Sequence, residues 1–155
     1  MSDGPTDDAP LLGALLRMPL DAISARMLDD VHAAGYLDVV AAHNAVFRYP
    51  GPEGRRPSDL AAEAGMSRQA MNYLLGQLEQ LGYLVRGDDD TDGRSRRVSL
   101  TDRGWAVRQC LRDSVTAIEA ELEIELGHRR LDQLRSLLVE LNQSSFVVGF
   151  RSQAQ

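Results

Sequence analysis

Two groups of charged residues lie close together in the middle of the chain, and they could bind ligands of opposite charge. The first is the acidic run DDDTD at positions 88–92, and the second comprises Arg94, Arg96 and Arg97. Closely spaced carboxylates are ligands for Ca²⁺. Arginine side chains form paired hydrogen bonds to phosphate oxygens and to the edge of guanine. The segment therefore predicts either a cation site or a contact to a phosphate-bearing partner.

The calcium interpretation fails in the second half of the loop. Asp88, Asp90 and Asp92 occupy the first, third and fifth positions of a calcium-binding loop, and Gly93 occupies the sixth. The twelfth position, which requires a bidentate glutamate, is Ser99, and strand-like residues replace the flanking helices. We therefore predict a solvated hairpin tip without a metal ion; the alternative is that the aspartates orient neighbouring side chains of the wing.

The chain has few other residues that could bind a metal ion or take part in catalysis. His32, His43 and His128 do not have the spacing of metal ligands. Cys110 is the only cysteine, so neither an intrachain disulfide nor a multi-cysteine zinc site can form. The sequence contains no phosphate loop and no nucleophile paired with a base. These observations predict a protein that is not an enzyme and holds no metal or cofactor.

Composition indicates a globular chain with an uneven distribution of charge. The 155 residues are 43% hydrophobic, but no apolar run reaches the ~18–20 residues that span a bilayer, which predicts a cytoplasmic protein without a membrane partner. The net charge is -6. Positions 55–112 nevertheless contain ten arginines and eight acidic residues, whereas the rest of the chain contains seven arginines and fifteen acidic residues. The central part is thus suited to an anionic partner.

Helical patterns precede and follow this central part. After a leader at positions 1–10, which we expect to be disordered, a helix is predicted from Pro19 to Gly35 and a second one capped by Asp38. A third helix after Thr101 ends at Gly127, and a last helix ends near Asn142. The apolar stripes of these terminal helices exceed what one small domain can cover, so we expect them to be buried in a homodimer.

The central part has the spacing of a helix-turn-helix followed by a hairpin. Ala61 allows close helix approach, Gly65 suits the turn, and Ser67 is placed to cap a helix whose inner face includes Met71 and Leu74. Strand-like runs, YLVR and RRVSL, follow Gly82. This order predicts a winged helix in which the second helix enters the major groove of DNA. The predicted DNA-binding residues are Ser67, Arg68, Gln69, Asn72 and Tyr73 on the helix and Arg94, Arg96 and Arg97 on the wing.

From about Leu20 to Leu141 the sequence resembles the MarR (multiple antibiotic resistance regulator) family of winged helix-turn-helix transcription factors. The resemblance rests on Ser67, on Leu78-Glu79 with Gly82, on the Asp-x-Arg of the wing, and on Leu100-Thr101 with Gly104. It implies a mainly α fold with a small β-hairpin wing, a homodimer and a palindromic operator. It also implies that Arg94 enters the minor groove and that Asp92 orients it. In the family the redox-sensing cysteine lies near the N-terminus, so thiol sensing is not expected here.

The resemblance further implies a cleft for a small molecule between the dimerisation and DNA-binding parts. Apolar and aromatic side chains of the segments that could line it suit a small aromatic ligand, namely Met27, Tyr36, His43, Phe47 and Trp105. The alternative is that these side chains pack in the core. The implied single domain comprises N-terminal helices at 11–49, a winged helix at 55–100 and C-terminal helices at 101–150.

Two functions remain open at this point. The first is a sequence-specific DNA-binding regulator, by analogy with the family a repressor released by its effector. The second is a winged helix used as a protein-interaction module without specific DNA binding, which the overall acidity favours. The dependence of DNA affinity on salt concentration distinguishes the two functions, because protein contacts to DNA phosphates release counterions.

Overall fold

The computed structural model describes residues 10–48, 54–87 and 97–153. The predicted leader, the segment around Tyr49-Pro50 and the wing tip with Asp92, Arg94 and Arg96 lie outside these ranges. A 3-10 turn, Ala41–His43, precedes the second helix. The elements are, in chain order, α1 (Leu12–Ala33), α2 (Asn44–Phe47), α3 (Pro57–Ala64), α4 (Arg68–Gln80), β1 (Leu84–Gly87), β2 (Arg97–Leu100), α5 (Asp102–Leu126), α6 (His128–Gln143) and α7 (Ser145–Gln153).

The first helix is longer than the sequence pattern predicts. It begins at Leu12, and Pro19 lies inside it. Proline is favoured at the first position of a helix, which is why the pattern placed the start there. Residues before Pro19, mainly Leu, Ala, Met and Arg, have high helix propensity and extend the helix by almost two turns. The prediction of a helix starting at Pro19 was wrong at this end.

The predicted capping role of Asp38 was also wrong. The 3-10 turn begins after Val40, whose backbone N–H donates to Nδ1 of His43 at 3.2 Å. The carboxylate of Asp38 instead accepts hydrogen bonds from the hydroxyl of Tyr83 and from the guanidinium of Arg103, the latter at 2.9 Å. Partners distant in sequence therefore outcompete the local backbone for this side chain.

The helix-turn-helix forms as predicted. Gly65 ends α3 in the left-handed conformation with φ of 64°, and Ala61 is buried where the two helices cross. Ser67 caps α4 by accepting a hydrogen bond from the N–H of Ala70 at 3.1 Å. Four apolar side chains, Met71, Leu74, Leu75 and Leu78, bury the inner face of α4. The amphipathic spacing and the cap thus fix which face of α4 points outward.

A two-stranded hairpin follows α4. β1 and β2 are antiparallel, with Leu84 opposite Leu100 and Gly87 opposite Arg97. An additional bridge not predicted from the sequence joins Arg55 to Val98 through two backbone hydrogen bonds of 3.0 and 2.8 Å. This bridge ties the start of the helix-turn-helix to the hairpin. The mainly α fold with a small β-hairpin is confirmed.

The long helices connect the winged helix to both ends of the chain. α1 packs along α5. Thr101 caps α5 by accepting from the N–H of Gly104 at 3.2 Å, and Gly127, with φ of 83°, separates α5 from α6. The last predicted helix, which was expected to end near Asn142, corresponds to α6, and α7 was not predicted. Within the described part of the chain, no helix is both long and apolar enough to cross a bilayer.

Candidate nucleic-acid interface and adjacent pocket

The outward face of α4 is polar and exposed. Arg68, Gln69, Asn72 and Tyr73 are all exposed there, and 67% of Tyr73 is accessible. The first turn follows the Ser67 cap, and backbone N–H groups at a helix N-terminus favour anions. The structure therefore brings together all five predicted helix residues on one accessible surface.

Arg86 of β1 holds the wing against α4. Its guanidinium donates to the side-chain oxygen of Asn72 at 3.5 Å and to the backbone carbonyl of Asn72 at 3.4 Å. Its Nε lies 3.2 Å from a carboxylate oxygen of Glu79, a contact that is electrostatic and lacks hydrogen-bond alignment. Asn72 is thus partly engaged within the protein. Arg86 was not predicted as a site residue, although its position two residues after the buried Leu84 places it on the inward face of the strand.

A second set of contacts links α4 to the 3-10 turn. Gln77 donates to the hydroxyl of Tyr73 at 3.1 Å, and its carbonyl oxygen lies 3.4 Å from Nε2 of His43. His43 is only 2% exposed. Burial lowers the pKa of its imidazole below the ordinary value, and the hydrogen bond to Gln77 partly opposes that shift. Gln77 was not predicted as a site residue, but its position four residues after Tyr73 places both on one face of the helix.

Of the predicted wing residues, Arg97 lies in the described part of the chain. Its Nη1 donates to the carbonyl oxygen of Gly54 at 3.4 Å, so part of this guanidinium contacts the segment that precedes α3. A side chain at Gly54 would meet Ser99 and the Val98 carbonyl, which explains the glycine at this close approach. The roles of Asp92, Arg94 and Arg96 stay predictions.

A pocket of about 670 Å³ lies between α1, α2 and α5. Two of the five predicted cleft residues, Met27 and Phe47, line it. Its other apolar walls include Leu20, Ile23, Leu111 and Val115, and three arginines stand around it, Arg48, Arg108 and Arg112. The side-chain oxygen of Asn44, also in the wall, is buried and has no hydrogen-bond partner among the described residues. The pocket thus combines an apolar interior with positive charge and an unused acceptor.

The other three predicted cleft residues do not line this pocket. Tyr36 packs edge-on against Tyr83 with ring centroids 6.3 Å apart. His43 turns toward Gln77. The guanidinium carbon of Arg108 lies over the Trp105 ring, 5.0 Å from the ring centre. Tyr36 and His43 thus contact residues distant in the chain, which helical spacing alone does not identify, whereas Trp105 contacts a residue one turn further along α5.

A polar cluster connects the segment after α1 with the start of α5. Arg103 donates to Asp38 and to the Tyr83 hydroxyl, both at 2.9 Å, and its guanidinium lies 4.6 Å from the centre of the Tyr83 ring. The hydrogen bond from Tyr83 is the main reason that the pKa of Asp38 is lowered. Burial is the main reason that the pKa of Tyr83 is raised. The charged carboxylate and the protonated phenol therefore hold this junction together.

A shallower hollow on another side of α5 contains Cys110, whose thiol donates to the backbone carbonyl of Asp30 at 3.6 Å. Burial raises the pKa of this thiol, which disfavours the reactive thiolate. The described residues contain no group of three or more His, Cys, Asp or Glu side chains that could hold a metal ion.

The helix-turn-helix with its polar outer face, followed by a hairpin and flanked by long helices, defines a winged helix-turn-helix protein. The sequence model of the MarR family matches residues 30–95. Over this segment the chain is similar to members of the MarR family.

Among curated relatives, the chain is similar to the HTH-type transcriptional repressor Rv2887 of Mycobacterium tuberculosis, strain H37Rv. The two are 31% identical over 88 residues, which are 57% of this chain and 63% of that repressor. The match thus spans less than two thirds of the relative's length.

Solved structures give the same fold over most of the chain. The M. tuberculosis MarR family protein Rv2887 in complex with salicylic acid has a TM-score of 0.61 and 27% identity, covering 87% of this chain and 98% of that one. The transcriptional repressor CouR bound to a 23-mer DNA duplex has a TM-score of 0.66 and 26% identity, covering 84% and 92%.

Proposed function

We propose that the chain is a transcriptional repressor that binds a palindromic DNA operator as a homodimer. The observation that carries this proposal is the accessible polar face of α4, held outward by a buried apolar face and joined to the wing through Arg86. The structure of CouR, a transcriptional repressor of the same fold, has been solved bound to a 23-mer DNA duplex. Ser67, Arg68, Gln69, Asn72 and Tyr73 would meet the major groove, and Arg94, Arg96 and Arg97 the flanking backbone or minor groove, with Asp92 orienting Arg94.

The homodimer is supported by apolar surface at both ends of the chain. α6 has no buried residue in the single chain, although it carries a leucine stripe. Large apolar side chains of the terminal helices are exposed, among them Leu12, Leu15, Met18, Ile124, Leu134, Leu137, Phe146 and Phe150. Exposed apolar area of this kind marks an interface. In this proposal the dimer interface is formed by the helices at 11–49 and 101–150, and DNA is bound by the winged helix at 55–100.

The lining of the pocket between α1, α2 and α5 supports the proposal that the effector is a small aromatic molecule with a carboxylate. Apolar walls would hold the ring, and Arg48, Arg108 and Arg112 would attract the negative charge. Rv2887, which shares 27% identity with this chain, has been crystallised with salicylic acid. The effector would act by binding more tightly to a form of the dimer that does not fit the operator. Such a regulator works in the bacterial cytoplasm and requires no catalytic group.

Selection of bound sequences from a random DNA pool, followed by affinity measurements at increasing salt, tests this function. We expect an enriched palindrome and a linear fall of log affinity with log salt, because each phosphate contact contributes about 0.9 to the slope. Arg68→Ala should weaken binding and lower that slope. Absence of an enriched sequence together with salt-insensitive or undetectable binding would favour the protein-interaction module.

A further inference from the structure

Three hydrogen bonds form a continuous row from the 3-10 turn to the exposed face of α4. The N–H of Val40 donates to Nδ1 of His43 at 3.2 Å. Nε2 of His43 then lies 3.4 Å from Oε1 of Gln77. Finally, Nε2 of Gln77 donates to the hydroxyl oxygen of Tyr73 at 3.1 Å. The row passes through an imidazole that is almost fully buried and ends at a tyrosine that is two-thirds exposed.

The direction of each hydrogen bond in this row follows from its first member. A backbone N–H only donates, so Nδ1 of His43 must be the unprotonated nitrogen and Nε2 must carry the proton. Nε2 therefore donates to Gln77, which requires the carbonyl oxygen of the Gln77 amide on that side. The amide nitrogen is then directed to Tyr73.

This polarity determines what the Tyr73 hydroxyl does. Because its oxygen already accepts a hydrogen bond from Gln77, its own proton remains available to an acceptor in solvent. Tyr73 lies on the same outward face of α4 as Arg68, Gln69 and Asn72, close to the capped start of that helix. Tyrosine hydroxyls are among the donors that contact phosphate oxygens, which accept a large share of the hydrogen bonds at protein–DNA interfaces.

We propose that His43 and Gln77 are positioning residues for DNA recognition, which hold the Tyr73 hydroxyl as a hydrogen-bond donor to a phosphate oxygen of the operator. The inference rests on the proposed DNA-binding function and adds two residues that do not touch DNA. It also gives Tyr73 a specific role: it fixes the register of α4 on the backbone and does not read a base.

The test is a double-substitution cycle on the selected operator duplex, measured by fluorescence anisotropy at fixed salt. Tyr73→Phe removes the hydroxyl, and Gln77→Met removes the amide while keeping a side chain of similar length. Each single change should weaken binding roughly tenfold, as expected for a hydrogen bond to a charged group. The double variant should bind as the singles do, because Gln77 acts only through the hydroxyl. If Gln77 merely stabilised α4, Gln77→Met would weaken binding equally with and without the Tyr73→Phe substitution.

Matched controls separate positioning from folding. Gln80→Met changes an exposed glutamine of the same helix and should leave affinity unchanged. His43→Gln keeps a polar group near Gln77 and should weaken binding less than His43→Phe. The slope of affinity against salt should stay constant in Tyr73→Phe, because the substitution removes no charged side chain.

Two results would overturn the inference and are distinct from failure of the proposed function. If Arg68→Ala weakens operator binding but Tyr73→Phe and Gln77→Met do not, the protein binds DNA without this row of contacts. If both singles weaken binding and their effects add in the double variant, Gln77 acts independently of the hydroxyl. Absence of salt-dependent DNA binding by the wild-type protein would instead overturn the proposed function, and this inference with it.

Discussion

Gly104 in α5 packs directly against the backbone carbonyl oxygen of Tyr83. A Cβ built at Gly104 would overlap that oxygen and lie 3.1 Å from a methyl carbon of Leu100. The carbonyl also accepts a hydrogen bond from the N–H of Thr101 at 3.1 Å, so it cannot move away freely. The glycine of the Leu-Thr-x-x-Gly motif therefore lets the first turn of α5 dock on the junction between α4 and the hairpin.

Gly104→Ala should destabilise the protein. The overlap involves backbone on both sides, so relief requires a shift of α5, and overpacking of this kind costs about 1–3 kcal/mol or more. Chemical denaturation measures the loss. Gly76→Ala is the matched control, because Gly76 is also helical but has open space around it. Gly76→Ala should raise the free energy of unfolding by roughly 0.5–1 kcal/mol. Equal stabilities for Gly104→Ala and wild type would contradict the close approach.

Stability should decrease as pH falls below the ordinary histidine pKa of 6.5, because His43 is buried. Burial lowers the pKa of its folded-state imidazole below that value, with the hydrogen bond to Gln77 and the nearby Asp38 carboxylate opposing the shift. Between the two pKa values the unfolded chain binds more protons than the folded chain. The stability contributed by neutral His43 is therefore complete above its pKa in the unfolded chain. It is lost as the pH falls through its pKa in the folded protein.

Urea denaturation at a pH well above and a pH well below that ordinary pKa measures this effect. His43→Gln should lose less stability than the wild type between the two conditions, because it removes the titrating group. An identical drop in wild type and His43→Gln would show that His43 is not the group responsible.

Charges introduced into the exposed apolar surface of the terminal helices should dissociate the proposed homodimer. Ile124 and Phe146 are 86% and 82% exposed in the single chain, so changing both to Glu leaves the core of one subunit intact. Burying two carboxylates per subunit in an apolar interface would be strongly unfavourable. Sedimentation should show a monomer of the double variant with a wild-type circular dichroism spectrum. Val85→Glu, at an exposed apolar residue of β1 outside the segments proposed to dimerise, should remain dimeric. A dimeric double variant would exclude this surface as the interface.

Salicylate should stabilise the protein through the pocket between α1, α2 and α5. A ligand bound only by the folded state raises stability by about 2.7 kcal/mol at a concentration about 100 times its Kd. Arg112→Gln should reduce the thermal shift, because it removes one of the positive charges around the pocket. Arg130→Gln, at an exposed arginine of α6, serves as the control. An undiminished shift in Arg112→Gln would place the carboxylate elsewhere.

The pocket lies beside the row of contacts that ends at Tyr73. Ala41 and Asn44, which line the pocket, are on the same short segment as His43. A ligand in the pocket would therefore touch the segment whose imidazole contacts Gln77. The same thermal-shift series with operator DNA present measures whether ligand and DNA oppose each other.

Features that depend on interactions between residues close together in the chain could be predicted from the sequence. Ser67 and Thr101 cap their helices as predicted, because a side-chain oxygen reaches the backbone N–H group three residues later. Gly65 and Gly127 adopt positive φ at helix ends, where residues with a Cβ are disfavoured. Apolar spacing in α4 likewise identified the buried face, and with it the exposed face that carries the candidate DNA contacts.

Contacts between side chains far apart in the chain could not be predicted from the sequence and depend on the folded structure. Asp38 had a plausible local role as a cap, but Tyr83 and Arg103 bind it across the fold. Two further residues, Arg86 and Gln77, join the interface through contacts of the same kind. Two predicted cleft residues that do not line the pocket, Tyr36 and His43, contact Tyr83 and Gln77, which are distant in the chain. Periodicity specifies which face of an element is buried, whereas the pairing of polar and aromatic groups depends on the packing of whole elements.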